Sequence, residues 1–348
     1  MKRILKIPTF MATLALAGFP SLVGLPALAQ TATNFAGKTV RIVIPSAVGG
    51  EYGLYSQLMA NHLGKYVPGN PAVIVQAMPG GAGLIAVNWM FAAAPKDGTV
   101  LFIPPVNTIQ DGVLDPKAKF DPSKIQWIGR LADLTQVGAV LKRSGVTNLD
   151  GAKAKQLVAA GIGLTNPTAF NARVLNEIAG TKFKILVGYR GTADVELGWL
   201  RGEVDLWTVG WDAVRMKYAK ELLSGEVIPL FVYAPQRLPE LPDVPLLSEF
   251  GRNDTENAFL KIYTVGTAMG RSLAAPPDVP MPVVDMFREA FRKMLNDPVI
   301  KETLDKANAR YNPLDSAELE KMVAEALKMT NEQAEKTRAF YQHMVNNP

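Results

Sequence analysis

The 348-residue chain has no cysteine and only two histidines, His62 and His343. Without a thiol it can form no disulfide and offers no thiolate nucleophile or sulfur metal ligand. Two histidines leave almost no room for a His-based metal cluster or a His-dependent triad. No G-x-S-x-G elbow is present, so the α/β-hydrolase arrangement is also missing. Neither Gly49-Gly50 nor Gly80–Gly83 is followed by Lys-Ser/Thr or has the G-x-G-x-x-G spacing, and Gly161-x-Gly163 lacks its third glycine. Nucleotide-phosphate and dinucleotide sites fall away, and no cofactor is expected. Beyond the first 29 residues no apolar run reaches the length of a membrane span.

The first 29 residues read as a secretory signal. Lys2, Arg3 and Lys6 form a basic start, residues 10–25 are largely apolar, and Ala27-Leu28-Ala29 supplies the small-residue cleavage pattern. An uncleaved anchor is the rival reading, but Pro20 interrupts the run and A-x-A follows it at once. No cysteine follows for a lipid anchor. The formal net charge of +5 owes much to this segment. Removing its three basic residues from 37 leaves 34 against 32 acidic ones, or +2. No basic block interleaved with aromatics remains, so nucleic acid is not an expected partner. Hydrophobic residues at 48% of the chain are ample for a buried core, and the length suits two domains.

The chain is organised around residues 39–63. A β-branched run (Val40, Ile42, Val43, Ile44) breaks at Pro45 and Gly49-Gly50, then restarts with helical spacing at Leu54, Leu58 and Leu63. That pattern predicts strand, glycine turn and helix. Such a turn leaves amide N–H groups at the helix start without internal partners, where the helix dipole favours an anion and glycine lets one approach. A second turn, Met78-Pro79-Gly80-Gly81-Ala82-Gly83, follows another β-rich run at 72–77 and precedes a helix at 84–93. Two such loops from neighbouring strands suggest a cleft for a small acid. Glycines in a strand–turn–helix unit also serve backbone geometry alone, and the residues do not decide between the two.

Further along, Asp97-Gly98 turns into a strand at 99–103, and residues 104–124 read as irregular. Residues 125–141 read as strand material long enough to pass from one domain to another, and apolar 260–267 as a possible return. Between them we expect a short helix at 149–156, a third turn at Gly161-Ile162-Gly163-Leu164-Thr165-Asn166-Pro167, and a helix at 169–179. Strands follow at 183–187, 204–209 and 227–233, with helices from 195 to Gly202 and at 213–223. Helices are expected at 282–295, 298–307 and 316–345. The alternation predicts an α/β fold with mostly parallel sheets.

Six stretches resemble, in order, those of the extracytoplasmic solute-binding receptors of tripartite tricarboxylate transporters, often called Bug receptors. They are Ile44-Pro45-Ser46-Ala47-Val48-Gly49-Gly50-Glu51-Tyr52-Gly53, Ala77 to Gly83, Pro95-Lys96-Asp97-Gly98-Thr99-Val100-Leu101, Val187-Gly188-Tyr189-Arg190-Gly191-Thr192-Ala193, Gly202-Glu203-Val204-Asp205 and Leu241-Pro242-Asp243-Val244-Pro245-Leu246. The resemblance implies a two-lobed periplasmic binding protein of the Venus-flytrap type, with two chain crossings and no catalysis. Residues 36–133 with 262–348 would form one lobe and 134–261 the other. It also implies a small organic acid as ligand, membrane transporter subunits as partners, and a monomer. Carried over, Ser46, Ala47, Gly49 and Gly50 form one ligand loop and Gly80, Gly81, Ala82 and Gly83 the other. Gly53 stands where the family has Asp, Val48 where proline is usual, and Ala82 one place later than the family's alanine.

In the other lobe Tyr189, Arg190 and Thr192 lie between a strand and a helix. Arg190 would pair with a second acid group, or is a solvated surface charge. Thr192 would bind ligand or cap the helix. Thr165 and Asn166 suit ligand oxygens, though Asn-Pro is also an ordinary turn. Asp205 would receive an amine or hydroxyl, or hold a neighbouring loop. Trp207 and Trp211 are aromatic candidates for which core packing is the simpler reading. Glu51 is expected to point away from an anion or to cap the helix. A ligand-sensing partner of a signalling system is a rival function, and a periplasmic enzyme a weaker one.

Overall fold

The structure, a computed structural model, describes residues 34–48 and 51–346; the signal reading and Gly49-Gly50 fall outside them. Eleven strands make two sheets. The first contains β1 (Thr39–Ile44), β2 (Ala72–Ala77), β3 (Val100–Phe102), β4 (Gln126–Arg130), β10 (Ser272–Ala275) and β11 (Leu314–Asp315), in the order β11-β4-β10-β3-β1-β2. The second contains β5 (Gln136–Leu141), β6 (Leu157–Gly161), β7 (Phe183–Val187), β8 (Leu206–Gly210) and β9 (Val227–Tyr233), in the order β7-β6-β8-β5-β9.

Parallel pairing is confined to one half of each sheet. β1 runs parallel to β2 and β3, and β6 to β7 and β8. The strands beside the crossings, β4, β5 and β10, pair antiparallel with their neighbours. The expectation of mostly parallel sheets therefore holds where strand–turn–helix units repeat. It gives way where the chain changes sheets, because a strand that leaves one sheet re-enters it from the opposite end.

Alternation along the strands fills both faces of each sheet. Val40, Ile42 and Ile44 of β1 pack with Leu58, Met59 and Phe287 on one face, and Val43 with Met90 and Trp127 on the other. In the second sheet Val140 and Leu206 face a core built round Phe170, Phe259 and Tyr263, while Val137 and Ala139 face Trp199, Trp207 and Trp211. Both tryptophans singled out as ligand candidates are thus buried core residues. Two long helical expectations are interrupted: 211–217 and 219–223 break at Tyr218, and Ser316–Leu327 and Asn331–Asn346 at residues 328–330. The second break lets the chain change partner. Leu319 and Val323 pack against the first sheet, whereas Tyr341 and Met344 enter the aromatic core of the second.

Residues 131–135 carry the chain from β4 to β5 and are buried throughout. It returns through the helix Asp254–Met269 and Gly270. The two crossings are tied to each other: Leu131 N–H donates to the Arg271 carbonyl at 3.1 Å, Arg271 N–H to the Ala132 carbonyl at 2.7 Å, and Leu134 N–H to the Thr267 carbonyl at 2.8 Å. Gly270 has φ +46°, and a Cβ there would sit 2.2 Å from the Ala132 carbonyl oxygen. Gly270→Ala must pull the crossings apart or strain them, at a cost of about 2 kcal/mol. A urea unfolding midpoint lowered accordingly is expected; an unchanged midpoint would show that the crossings tolerate separation.

Candidate functional site

The parallel strands of the first sheet end together, and three loops leave from those ends. After β1, Pro45 is buried, Ser46 is half-buried and donates its hydroxyl to the Ala47 carbonyl at 3.1 Å, and Ala47 and Val48 are exposed. The helix Glu51–Leu63 follows. At Gly53 a Cβ would lie 1.4 Å from the Val48 carbonyl oxygen. The loop folds back onto the helix so closely that the aspartate of the resembled family has no room in this conformation.

The second loop is set by backbone dihedrals. Gly80, Gly81, Ala82 and Gly83 have φ of 128°, 56°, 53° and 96°, four successive residues on the left-handed side. Glycine adopts this without penalty; Ala82 does so at about 1 kcal/mol or more. Gly80, Gly81 and Ala82 are exposed, and Gly83 is buried. A Cβ on Gly83 would meet the Pro105 ring at 2.7 Å and Pro45 Cβ at 3.1 Å, so this glycine is where three loops close on one another.

The third loop, Pro104-Pro105-Val106-Asn107 after β3, lies in the stretch read from sequence as irregular. Asn107 donates to the Ala82 carbonyl at 3.3 Å and also to the Asp111 carboxylate. The available signal was a third repetition of strand, proline turn and helix, here the helix Thr108–Leu114. Asp111 is only 6% exposed, and burial pushes its carboxyl up to about 7, the Asn107 bond opposing and Asp115 adding to the rise.

The second sheet presents its strand ends toward the first. A Cβ on Gly210, the last residue of β8, would lie 3.1 Å from Glu51 Oε1, so the loop-bearing ends of the two sheets face each other. Gly161 at the end of β6 packs on Ala169 and Thr168. Asn166 accepts from Thr168 N–H at 3.1 Å and from its hydroxyl at 2.8 Å, capping the helix Pro167–Ala179; Thr165 is half-buried beside it. After β7, Tyr189 is half-buried, and Arg190 is exposed and clasps Asp194 through Nε at 2.7 Å and Nη2 at 3.3 Å. These residues border a shallow recess of about 460 Å³ with Leu197 and Glu203. Thr192 is the first helical residue there, and Gly191 rather than Thr192 is the cap.

Asp205 lies elsewhere. Its carboxylate accepts from Val158 N–H at 2.8 Å, and the register of β8 with β6 puts it at the strand starts, a strand length from the loops. The structure thus brings Ser46, Ala47, Gly80, Gly81, Ala82 and Gly83 together on one side and Thr165, Asn166, Tyr189, Arg190 and Thr192 on strand-end loops of the other sheet, and leaves Asp205 in a structural bond.

Glu51 forms an ion pair with Arg271, whose guanidinium stacks 4.2 Å from the centre of the Tyr52 ring. Arg271 is buried, and its charge draws the Glu51 carboxylate toward the crossings. A cavity of about 220 Å³ lies there, lined by Glu51, Tyr55, Asp133, Thr135, Asp212 and Arg310 among others. Asp133 pairs with Arg310, and Asp212 with Arg215. Two buried atoms of its lining, Thr135 Oγ1 and Arg271 Nε, have no hydrogen-bond partner in the protein, which makes room for water or a polar ligand group. Among the described residues no group of three or more His, Asp or Glu is arranged to hold a metal ion, and no helix is long and apolar enough to cross a membrane.

The native Asp111 carboxyl keeps its proton up to about pH 7, whereas the unfolded one releases it near pH 4. Between those values the native state binds more protons, so this group's contribution to stability falls as pH rises. Asp111→Asn should therefore be more stable than wild type at pH 8 by about 4 kcal/mol and nearly equal to it at pH 4. Urea midpoints at the two pH values check this, and a gap that does not widen with pH would contradict it.

Residues 58–337 match the family described as the tripartite tricarboxylate transporter family receptor. The Agrobacterium vitis protein described as "UPF0065 protein in the TAR-I ttuE-ttuC' intergenic region" is 26% identical over 295 residues, which span 80% of this chain and 77% of that one. A TctC solute binding protein from Polaromonas superposes with a TM-score of 0.62 at 18% identity, covering 90% of this chain and 100% of the other. MatC from Rhodopseudomonas palustris with bound malate gives 0.59 at 20%, covering 89% and 100%. By the match over residues 58–337 this chain belongs to the tripartite tricarboxylate transporter receptor family.

Proposed function

We propose that this receptor captures a small carboxylate-bearing compound between the loops of its two sheets, in the periplasm and as a monomer, and presents it to membrane subunits of a transporter. The observation that carries this is the run of four left-handed residues at 80–83, wedged against Pro45 and Pro105 at the ends of parallel strands. Such a backbone turns amide N–H groups outward at a helix start, where the dipole adds to their attraction for an anion. A carboxylate held that way needs no cationic side chain. The bound malate of MatC supports a carboxylate as the ligand class.

In this reading the first lobe is residues 36–133 with 262–348 and the second is 134–261, with Ile262, Tyr263 and the terminal helix's Tyr341 packing into the second lobe's core beside Phe170 and Phe259. Ligand would draw the lobes together about the crossings. Ser46, Ala47 and Gly80 to Gly83 grip the carboxylate, Thr165, Asn166, Tyr189, Arg190 and Thr192 border the closing side, and no catalytic step is involved.

Gly81 offers the cleanest test. A Cβ there meets nothing nearer than 3.6 Å, so the space exists and only the positive φ resists a side chain. Gly81→Val should keep the fold while its isopropyl group crowds the loop amides. We expect carboxylate affinity, read by titration calorimetry, to fall at least about tenfold, while unfolding stays cooperative and stability falls only by about 1–2 kcal/mol, the cost of a positive φ to a side chain. Unchanged affinity would count against the loop.

A further inference from the structure

Resting on that reading of the loops, we infer that the preferred ligand is a monocarboxylate with an apolar alkyl or aryl body, selected by Val48, Ile85, Ile162, Leu164 and Val187. The ground is where the exposed aliphatic side chains fall. Val48 stands in the first loop, and Ile85 follows the second, its Cδ1 only 2.5 Å from where a Cβ of Gly80 would be. Ile162 and Leu164 stand on the loop after β6, and Val187 ends β7. They are 47%, 54%, 39%, 39% and 43% exposed, while the aliphatic residues of the central strands behind them, β1 and β8, are almost wholly buried. One exposed aliphatic residue is ordinary; five on the loop-bearing ends of the two sheets offer apolar surface to the body of a ligand held between those loops.

The charges at the same ends point the same way. The loop segments 45–48, 78–85, 104–107 and 161–166 contain no Lys, Arg or His. The nearby cations already face acids: Arg190 faces Asp194, Arg215 Asp212, Arg271 Glu51, Arg310 Asp133 and Lys217 Glu196. Toward the crossings the lining sets Glu51, Asp133 and Asp212 against Lys217, Arg271 and Arg310, and a water would satisfy its unpaired Arg271 Nε and Thr135 Oγ1. A second carboxylate on the ligand would shed its water and then compete with three carboxylates for the same cations. An alkyl or aryl body instead buries itself against the five side chains and gains roughly in proportion to its area.

Hexanoate and adipate make a matched pair, equal in chain length and differing by a terminal methyl or a second carboxylate. We expect titration calorimetry of the purified protein to give hexanoate at least about tenfold tighter binding than adipate or malate. Leu164→Asp should remove most of that advantage, and Val187→Asp, at a second exposed position, does the same should the first variant fail to fold by circular dichroism. Adipate or malate binding as tightly as hexanoate would overturn the inference while leaving the carboxylate receptor intact. A hexanoate preference untouched in both folded variants would overturn the assignment of these side chains. Binding of none of the three acids by wild type would overturn this inference together with the reading it rests on.

Discussion

The architecture depends on a close backbone approach at the crossings, where a Cβ on Gly270 would sit 2.2 Å from the Ala132 carbonyl oxygen. Hydrogen bonds between residues 131–134 and 267–271 make the outgoing and returning chains one ribbon. That ribbon sets the direction in which each sheet leaves it, and so makes the strand ends of the two sheets face each other. It also turns Arg271 inward. A buried guanidinium needs a counter-charge, and Glu51 supplies it from the first turn of the helix after β1, with its other carboxylate oxygen at Gly210. One ion pair thus touches the crossing, the helix behind the first loop and the second sheet. A ligand that rearranges the first loop must act on a side chain that already links both halves.

Much of this was legible in the sequence, because strand–turn–helix units announce themselves through local chemistry. The strands at 183–187 and 227–233 and the glycine turn at 80–83 lie where periodicity and glycine placed them. Less was legible where the outcome depends on what lies across space. The third loop carries no glycine, and its prolines read as irregular although Pro105 packs on Gly83. Tyr218 and residues 328–330 break helices whose apolar spacing continues through them, since the neighbouring core decides which face must be covered. Arg190 is different: its partner Asp194 stands four residues on, a helical pairing visible in the sequence. Asp205 follows a glycine turn like a loop residue, but only the register of β8 shows that it faces the strand starts.

The same division explains why departures from the family's pattern need not disturb the mode of binding. Recognition by amide groups depends on φ and ψ, which Gly80, Gly81 and Gly83 supply whatever side chains surround them. Ala82 keeps its left-handed conformation at a cost because Pro105 and Asn107 hold the loop on either side. At Gly53 the fold-back of the first loop removes any side chain, and with it a carboxylate that would stand at the helix start. Val48, just before that fold-back, presents an apolar surface instead. In the proposed mode the backbone holds the acid group, and the few side chains around it are left to determine what that acid group carries.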